Sequence, residues 1–430
     1  MTTMEDLISK NFGMADGELL IGGLSISSIA AEFGTPLFVY DAGVMDKKLQ
    51  QLRGALPPGF EISYSVKANP NKAVLRHFLT RECGFEIASA GEYQLALGIG
   101  CPAHRIIFAG PGKTESELEL VLAKGIGEIH VESVVEIERI NRISSRLGVR
   151  AKVALRINPT GEAQGGAMRM GGRATPFGID EEVADAVIDR IVSSPALMFT
   201  GIHLFTGTQI LDHAILLNQY RKGIALARSI AERLQRPLDT VEFGGGIGIP
   251  YFSNERELNF DGLRQGLLEL MDIVRADSYL TGTRFMLEPG RFLVGEAGVF
   301  VARVNDVKIS RGKTFVVLDG GMNCHLAASG NLGQTIKRNY PIALLNRVQA
   351  PATATVDVVG PLCTPLDTLG RSVELPQPEI GDLVGVFQSG AYGLTASPVN
   401  FLSHPSPAEV LISQGASQLI RPRGALTDLS

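Results

Sequence analysis

The stretch Glu61-Ile62-Ser63-Tyr64-Ser65-Val66-Lys67-Ala68-Asn69-Pro70 runs as a strand, delivers one lysine and then breaks. Proline has no N–H to give a ladder and biases the residue before it away from helix, so Lys67 falls at a strand's C-terminal end. In parallel α/β folds that is where chemistry is placed. A lysine in a partly apolar pocket has a lowered pKa and can condense with an aldehyde. Most lysines are solvated surface charges, so the rest of the chain must decide whether Lys67 is an exception.

From residue 61 onward the pattern is regular. Runs rich in Val, Ile and Phe occur at 61–66, 85–88, 105–109, 127–131, 151–157, 198–205, 240–243 and 283–287. Between them, Thr114 to Lys124, Val134 to Arg146, Glu181 to Val192, Ala214 to Arg233 and Phe260 to Arg275 carry apolar residues at helical spacing. Thr114-Glu115-Ser116-Glu117 is a capping box, which ties down the free N–H groups of a first turn. Eight strands alternating with helices predict an α/β fold, a closed (β/α)₈ barrel of the TIM type. A doubly wound open sheet satisfies the same pattern, because pattern does not reveal closure.

After residue 291 the pattern changes to strands: Val299 to Ile309, Thr314 to Leu318, Ala352 to Val359, Leu383 to Phe387 and Gln418 to Arg421. A second, mostly β C-terminal domain is expected, joined by the N-terminal strands. The excursion from Thr160 to Pro176 is rich in Gly and Met and lacks periodicity. A loop that long is usually functional or disordered.

The 430 residues are 45% hydrophobic and 20% charged, with a formal net charge of -5 and both signs interspersed. Disorder is excluded, and no basic block supports nucleic-acid binding. The four cysteines, Cys83, Cys101, Cys324 and Cys363, have neither zinc nor disulfide spacing. No signal peptide or membrane-spanning run is present, so a cytoplasmic protein is expected, without metal or membrane partner.

Several constellations sit at strand ends. Phe243-Gly244-Gly245-Gly246-Ile247-Gly248 follows the seventh strand, where barrels often bind phosphate on backbone N–H groups, although glycines also make plain tight turns. Glu288-Pro289-Gly290-Arg291 ends the eighth; a carboxylate there can hydrogen-bond a protonated ring nitrogen, or simply cap a turn beside a surface ion pair. Glu86 ends the second strand and Arg156 the fifth, and His203 lies on the sixth. In the β region, Gly360-Pro361-Leu362-Cys363-Thr364-Pro365 and Ser389-Gly390-Ala391-Tyr392-Gly393 read as two rigid loops.

In this order, Tyr64 to Asn69, the glycines at 244–246, Glu288 to Arg291, Cys363 and Gly390-Ala391-Tyr392 resemble the alanine-racemase-fold pyridoxal-phosphate decarboxylases, such as diaminopimelate and ornithine decarboxylases. Each motif is modest alone; the ordered set is specific and covers roughly residues 18–415. The resemblance implies a pyridoxal 5'-phosphate-dependent amino-acid decarboxylase with Lys67 as the covalent anchor. Gly244 to Gly246 and Tyr392 would hold the phosphate, and Glu288 the ring nitrogen. Glu86, Arg156, His203, Gly290 and Arg291 complete the expected cofactor contacts. Cys363 would reach the partner subunit's site and donate a proton, which implies a homodimer. The expected division is a barrel over 37–291 and a β-rich domain built from 1–36 and 292–430. Racemases of the fold place an arginine at the ring nitrogen, so Glu288 argues for decarboxylation.

Two departures bear on the substrate. Where the family usually stacks a histidine on the ring, the matching residue is Phe205, whose aromatic face can still stack. Diaminopimelate and ornithine enzymes place an acid directly after the cysteine, to pair with a distal ammonium; here that residue is Thr364. The Met168 to Arg173 segment adds Arg169 and Arg173 instead. Cys363-Thr364-Pro365, Met170-Gly171-Gly172 and Phe401-Leu402-Ser403-His404-Pro405 are similar to a subgroup acting on enlarged substrates. Its members decarboxylate aminoacyl groups tethered to a carrier protein, as in butirosin biosynthesis, or citryl-diaminopropionate in siderophore assembly. The expected substrate is therefore an enlarged or carrier-bound amino acid, with plain meso-diaminopimelate as the alternative.

Overall fold

The computed structural model describes residues 4–161, 168–169, 174–205, 207–334 and 336–425. By its contacts the chain divides into two units, Gln50–Gly248 with Leu258–Gly290, and Met1–Leu49 with Ile249–Glu257 and Arg291–Ser430.

The first unit holds eight parallel strands: β1 (Phe60–Ser65), β2 (Gly84–Ile87), β3 (Ile106–Phe108), β4 (Glu128–Val131), β5 (Ala151–Asn158), β6 (Leu197–His203), β7 (Thr240–Glu242) and β8 (Arg284–Leu287). They pair in chain order. β8 then pairs back onto β1, which closes the barrel and removes the open-sheet alternative. Every strand starts and stops within two residues of its expected place. The sixth stops at His203, so Leu204 and Phe205 lie beyond it. β5 is buried at seven of eight positions, as a parallel strand covered on both faces must be.

Most of the helices between strands begin on side-chain caps; Glu181–Ser193 has none. Asn71, Ser89, Thr114, Ser133, Asp212 and Asn259 each accept a backbone N–H from the first turn that follows. The capping box of Thr114 and Glu117 is formed in both directions. A cavity of about 930 Å³ lies at the N-terminal strand ends, lined by Glu61, Arg105, Glu128, Lys152 and Arg284 among others. It is at the end of the barrel opposite to Lys67.

The second unit is organised on the long strand Gly298–Ser310. Leu37–Asp41, Lys313–Leu318 and Leu383–Val386 all pair with it antiparallel. Leu37–Asp41 also takes Ala408–Ser413 as a parallel neighbour. Residues 37–41, expected as the start of the barrel segment, are thus hydrogen-bonded into this sheet. Leu37, Val39, Val299, Val301, Val410 and Ile412 form its core with the helix Ile26–Phe33. Elements without a clear signal include the helix Met4–Asn11 and the strands Ile342–Leu344, Thr368–Leu375 and Ala408–Ser413. In Thr368–Leu375 the buried residues Leu369, Gly370 and Leu375 and the exposed Arg371, Ser372 and Glu374 do not alternate regularly, so its pattern reads as a loop. No helix among the described residues is long and apolar enough to cross a membrane.

Candidate active site

β1 ends at Ser65, and one 3-10 turn, Val66–Ala68, carries Lys67. The turn is anchored from both sides. Tyr64 Oη donates to the Asn69 carbonyl at 3.1 Å, and the Ser65 N–H donates to the Pro289 carbonyl at 3.2 Å. Lys67 Nζ lies 2.8 Å from both carboxylate oxygens of Glu86, one residue before the end of β2. Ser65 Oγ donates to the same carboxylate at 2.5 Å. The lysine side chain is 45% exposed while Glu86 is 1% exposed. An apolar pocket therefore does not set the state of this lysine. A buried carboxylate holds it, at the open C-terminal end of the barrel.

Glu288 follows β8 and is tied to the glycine turn after β7, its N–H donating to the Gly244 carbonyl at 2.8 Å. Gly244 has φ +61, a left-handed conformation costly for other residues. A Cβ on Gly245 would sit 2.4 Å from the Glu288 carbonyl oxygen, so no side chain fits between turn and strand. Gly246 and Gly290 are equally closed, the first against the Gly207 carbonyl and the second against Ser65 and Ala68. The ring of Phe205 lies against Gly244.

His203 Nε2 is 3.3 Å from Glu288 Oε2, and both residues are buried. Burial opposes ionisation of Glu288, but the imidazoles of His203 and His130 outweigh it and hold the carboxyl well below the usual carboxylate range. Glu288 Oε1 is buried and accepts no well-formed hydrogen bond among the described residues. Arg156, at the end of β5, donates to Glu132 at 2.8 Å and lies over the Phe177 ring. Glu132 also accepts the N–H groups of Gly110 and Gly178, so it pins three loops at the C-terminal face.

The second unit supplies its own candidates. Arg291 is buried; its Nη1 donates to Tyr251 Oη at 2.7 Å, and its guanidinium stacks 4.7 Å over the Tyr392 ring. Tyr392 has φ +53, a strained backbone for a non-glycine residue and a common mark of functional loops. Cys363 is exposed. The Asp367 carboxylate fixes its loop by accepting the N–H groups of Leu362 and Met322 at 2.8 and 2.6 Å. Among the described residues, Thr364 Oγ1 accepts the Leu366 N–H at 3.3 Å, within its own loop. Arg169 belongs to a two-residue strand paired with Gly207–Thr208. Arg173 lies outside the described residues.

Sequence reasoning passed over His130, Glu132, Glu242 and Asp367. A signal for the first existed: Glu128 and His130 stand two apart on a four-residue strand that is buried throughout, so both charged side chains face the barrel interior.

A family model described as "Pyridoxal-dependent decarboxylase, pyridoxal binding domain" matches residues 42–295. The chain belongs to the pyridoxal-dependent decarboxylases. It is 39% identical over 407 residues to the L-glutamyl-[BtrI acyl-carrier protein] decarboxylase of Niallia circulans, covering 94% of this chain and 95% of that one. It is 33% identical over 412 residues to the diaminopimelate decarboxylase of Aquifex aeolicus, covering 95% and 94%. The crystal structure of diaminopimelate decarboxylase from M. jannaschii in co-complex with L-lysine superposes with a TM-score of 0.89 at 27% identity, over 97% of this chain and 96% of that one. This decarboxylase is a pyridoxal-phosphate-dependent carboxy-lyase on an alanine-racemase-like fold, a barrel with a mostly β second domain. The residues present suit that cofactor: a glycine turn with no room for a side chain, a buried anionic carboxylate with an unclaimed oxygen, and a half-exposed lysine.

Proposed function

We propose that this enzyme removes the α-carboxylate of an enlarged amino acid, such as a glutamyl group tethered to a carrier protein. The observation that carries this reading is Thr364. The position after Cys363 holds a hydroxyl already turned into its own loop, and no carboxylate to meet a distal ammonium. Burying such an ammonium without a charge partner is costly. The Niallia circulans relative, named for a carrier-bound glutamyl substrate, supports the same direction.

In this reading Lys67 anchors pyridoxal phosphate, and Gly245, Gly246 and Tyr392 bind its phosphate with Arg291 in support. Phe205 stacks on the ring, while Glu86, Arg156 and His203 order the walls. When bound, the cofactor supplies an electron sink for the bond broken as carbon dioxide leaves. Glu288 keeps a proton on the ring nitrogen, which deepens that sink. Cys363 Sγ, exposed on its pinned loop, delivers a proton to the substrate carbon of a partner subunit, so the working form is a homodimer. Arg169 and Arg173 meet an acidic group or a carrier's phosphopantetheine. A cytoplasmic setting belongs to the same reading, and all four cysteines are free.

The test is a steady-state comparison of diaminopimelate with glutamyl-carrier thioesters. Sites built to pair a polar group discriminate by about 10⁴; that pairing group is missing here, so carrier substrates are expected to exceed free diaminopimelate, lysine and ornithine by orders of magnitude. The relatives named diaminopimelate decarboxylase support a second reading, meso-diaminopimelate itself. A kcat/KM on diaminopimelate of about 10⁴ M⁻¹s⁻¹ or more would establish that second reading instead.

A further inference from the structure

Beneath Glu288 the barrel core holds a cluster of titratable groups that the reaction outlined above does not use. β4 turns Glu128 and His130 inward and β7 turns Glu242 inward; His203 ends β6. Exposure is 5% for Glu128, 0% for His130, 0% for Glu242, 2% for His203 and 6% for Glu288, so all of them are buried. His130 Nε2 lies 3.1 Å from Glu242 Oε1 and 3.4 Å from Glu128 Oε1, while its Nδ1 lies 3.8 Å from Glu288 Oε1. The His130 and His203 rings stack with centroids 4.3 Å apart.

One imidazole thus faces carboxylates from both of its nitrogens, and only the protonated ring presents an N–H on both sides. The carboxylates divide by their partners. Glu128 accepts from Thr240 Oγ1 at 3.0 Å, which favours its ionised form. Neither oxygen of Glu242 accepts, and neither nitrogen of His130 donates, a well-formed hydrogen bond among the described residues, so the two meet by proximity alone; an ionised Glu242 would lack a donor to stabilise it, which favours its neutral form. Burial pushes the Glu242 carboxyl well up, in the same sense. Burial works against a charge on His130, but the facing carboxylates of Glu128 and Glu288 act against that and raise the imidazole. His203, buried beside that cation, is pushed down and stays neutral. The other charges nearby are already paired. Arg156 meets Glu132, and Lys113, which donates to the His130 carbonyl, meets Glu136. The core then holds one positive ring and two negative carboxylates, and the excess charge rests on Glu288.

We propose that His130 is a positioning residue for Glu288: its imidazolium offsets Glu128 and leaves Glu288 as the one uncompensated carboxylate of this cluster. The barrel itself then calls for a cation at the ring nitrogen. This inference rests on the assignment of Glu288 to that nitrogen, and its test separates the two. Nitrogen-15 spectra of histidine-labelled, loaded, full-length enzyme are expected to show one doubly protonated ring that does not titrate between about pH 6 and 9. That signal is absent in His130→Gln. His130→Gln also lowers kcat by about tenfold, less than loss of a direct donor, and shifts the pH dependence of the cofactor absorbance. Glu128→Gln added to His130→Gln restores the charge balance and is expected to recover most of both; a purely packing role would not be rescued this way. A neutral or titrating His130, a stoichiometric divalent metal in the purified protein, or failure of Glu128→Gln to rescue overturns the proposal. An unchanged kcat in Glu288→Gln overturns only the ring-nitrogen assignment and leaves the spectrum of His130 standing.

Discussion

Lys67 carries its charge at a solvent-open strand end against a carboxylate that water barely reaches. Lys67→Ala is expected to abolish turnover and the visible absorbance of the bound cofactor, because no second lysine is placed at the C-terminal ends of β1 or β2. An active Lys67→Ala enzyme whose cofactor is trapped by borohydride on another lysine would remove the assignment. A neighbouring group adds a pH effect. Burial, helped by repulsion from Glu86, pushes the Glu92 carboxyl up to about 7 against the Ala88 N–H that it accepts. An acid raised in the folded state keeps a proton that the unfolded chain has already released. Its effect on stability is absent below the unfolded value and becomes a growing loss as pH rises toward the folded one. Thermal midpoints of wild type are therefore expected to fall between about pH 5 and 7 more steeply than those of Glu92→Gln. Parallel curves would show that Glu92 titrates normally.

Among the elements, the turn after β7 and the end of β8 behave as one piece, clamped by the Glu288 N–H and by the missing side chain at Gly245. Gly245→Ala drives a methyl toward the Glu288 carbonyl, an overpacking of about 1–3 kcal/mol. It is expected to weaken cofactor affinity and lower the thermal midpoint together; a variant that binds the cofactor normally would show that the turn yields. The elements also show where sequence was informative. β1 and the Thr114 helix were legible because proline, capping box and apolar period agree on one structure. Thr368–Leu375 was not, because its buried positions, Leu369, Gly370 and Leu375, follow no regular alternation to read. The glycine turn was legible as a turn. Its grip on Glu288 was not, since contacts between chain ends of neighbouring strands leave no local pattern.

For the whole molecule, the motif residues could be read from their order along the chain, whereas the polar core of the barrel could not. A motif is a property of order along the chain. The cluster of Glu128, His130, Glu242 and Glu288 is a property of closure, because only the barrel brings β4, β7 and β8 to one axis. The proposed homodimer makes a separate prediction. Lys67→Ala and Cys363→Ala, each inactive, are expected to recover up to roughly a quarter of wild-type activity when mixed and re-associated, since a random hybrid restores one site in a mixed dimer. Hybrids that form and stay inactive would mean that each site draws both groups from one chain.

Glu128 also lines the cavity at the N-terminal end of the barrel. Deuterons from solvent therefore have an entrance to the core that a bound substrate at the opposite end does not block. On transfer to heavy water, the exchangeable positions of His130 are expected to label at the same rate whether or not an inhibitor fills the Lys67 end. A carrier protein seated over the mouth of the barrel would leave this back door open, so the isotopic history of the core would be independent of the catalytic cycle.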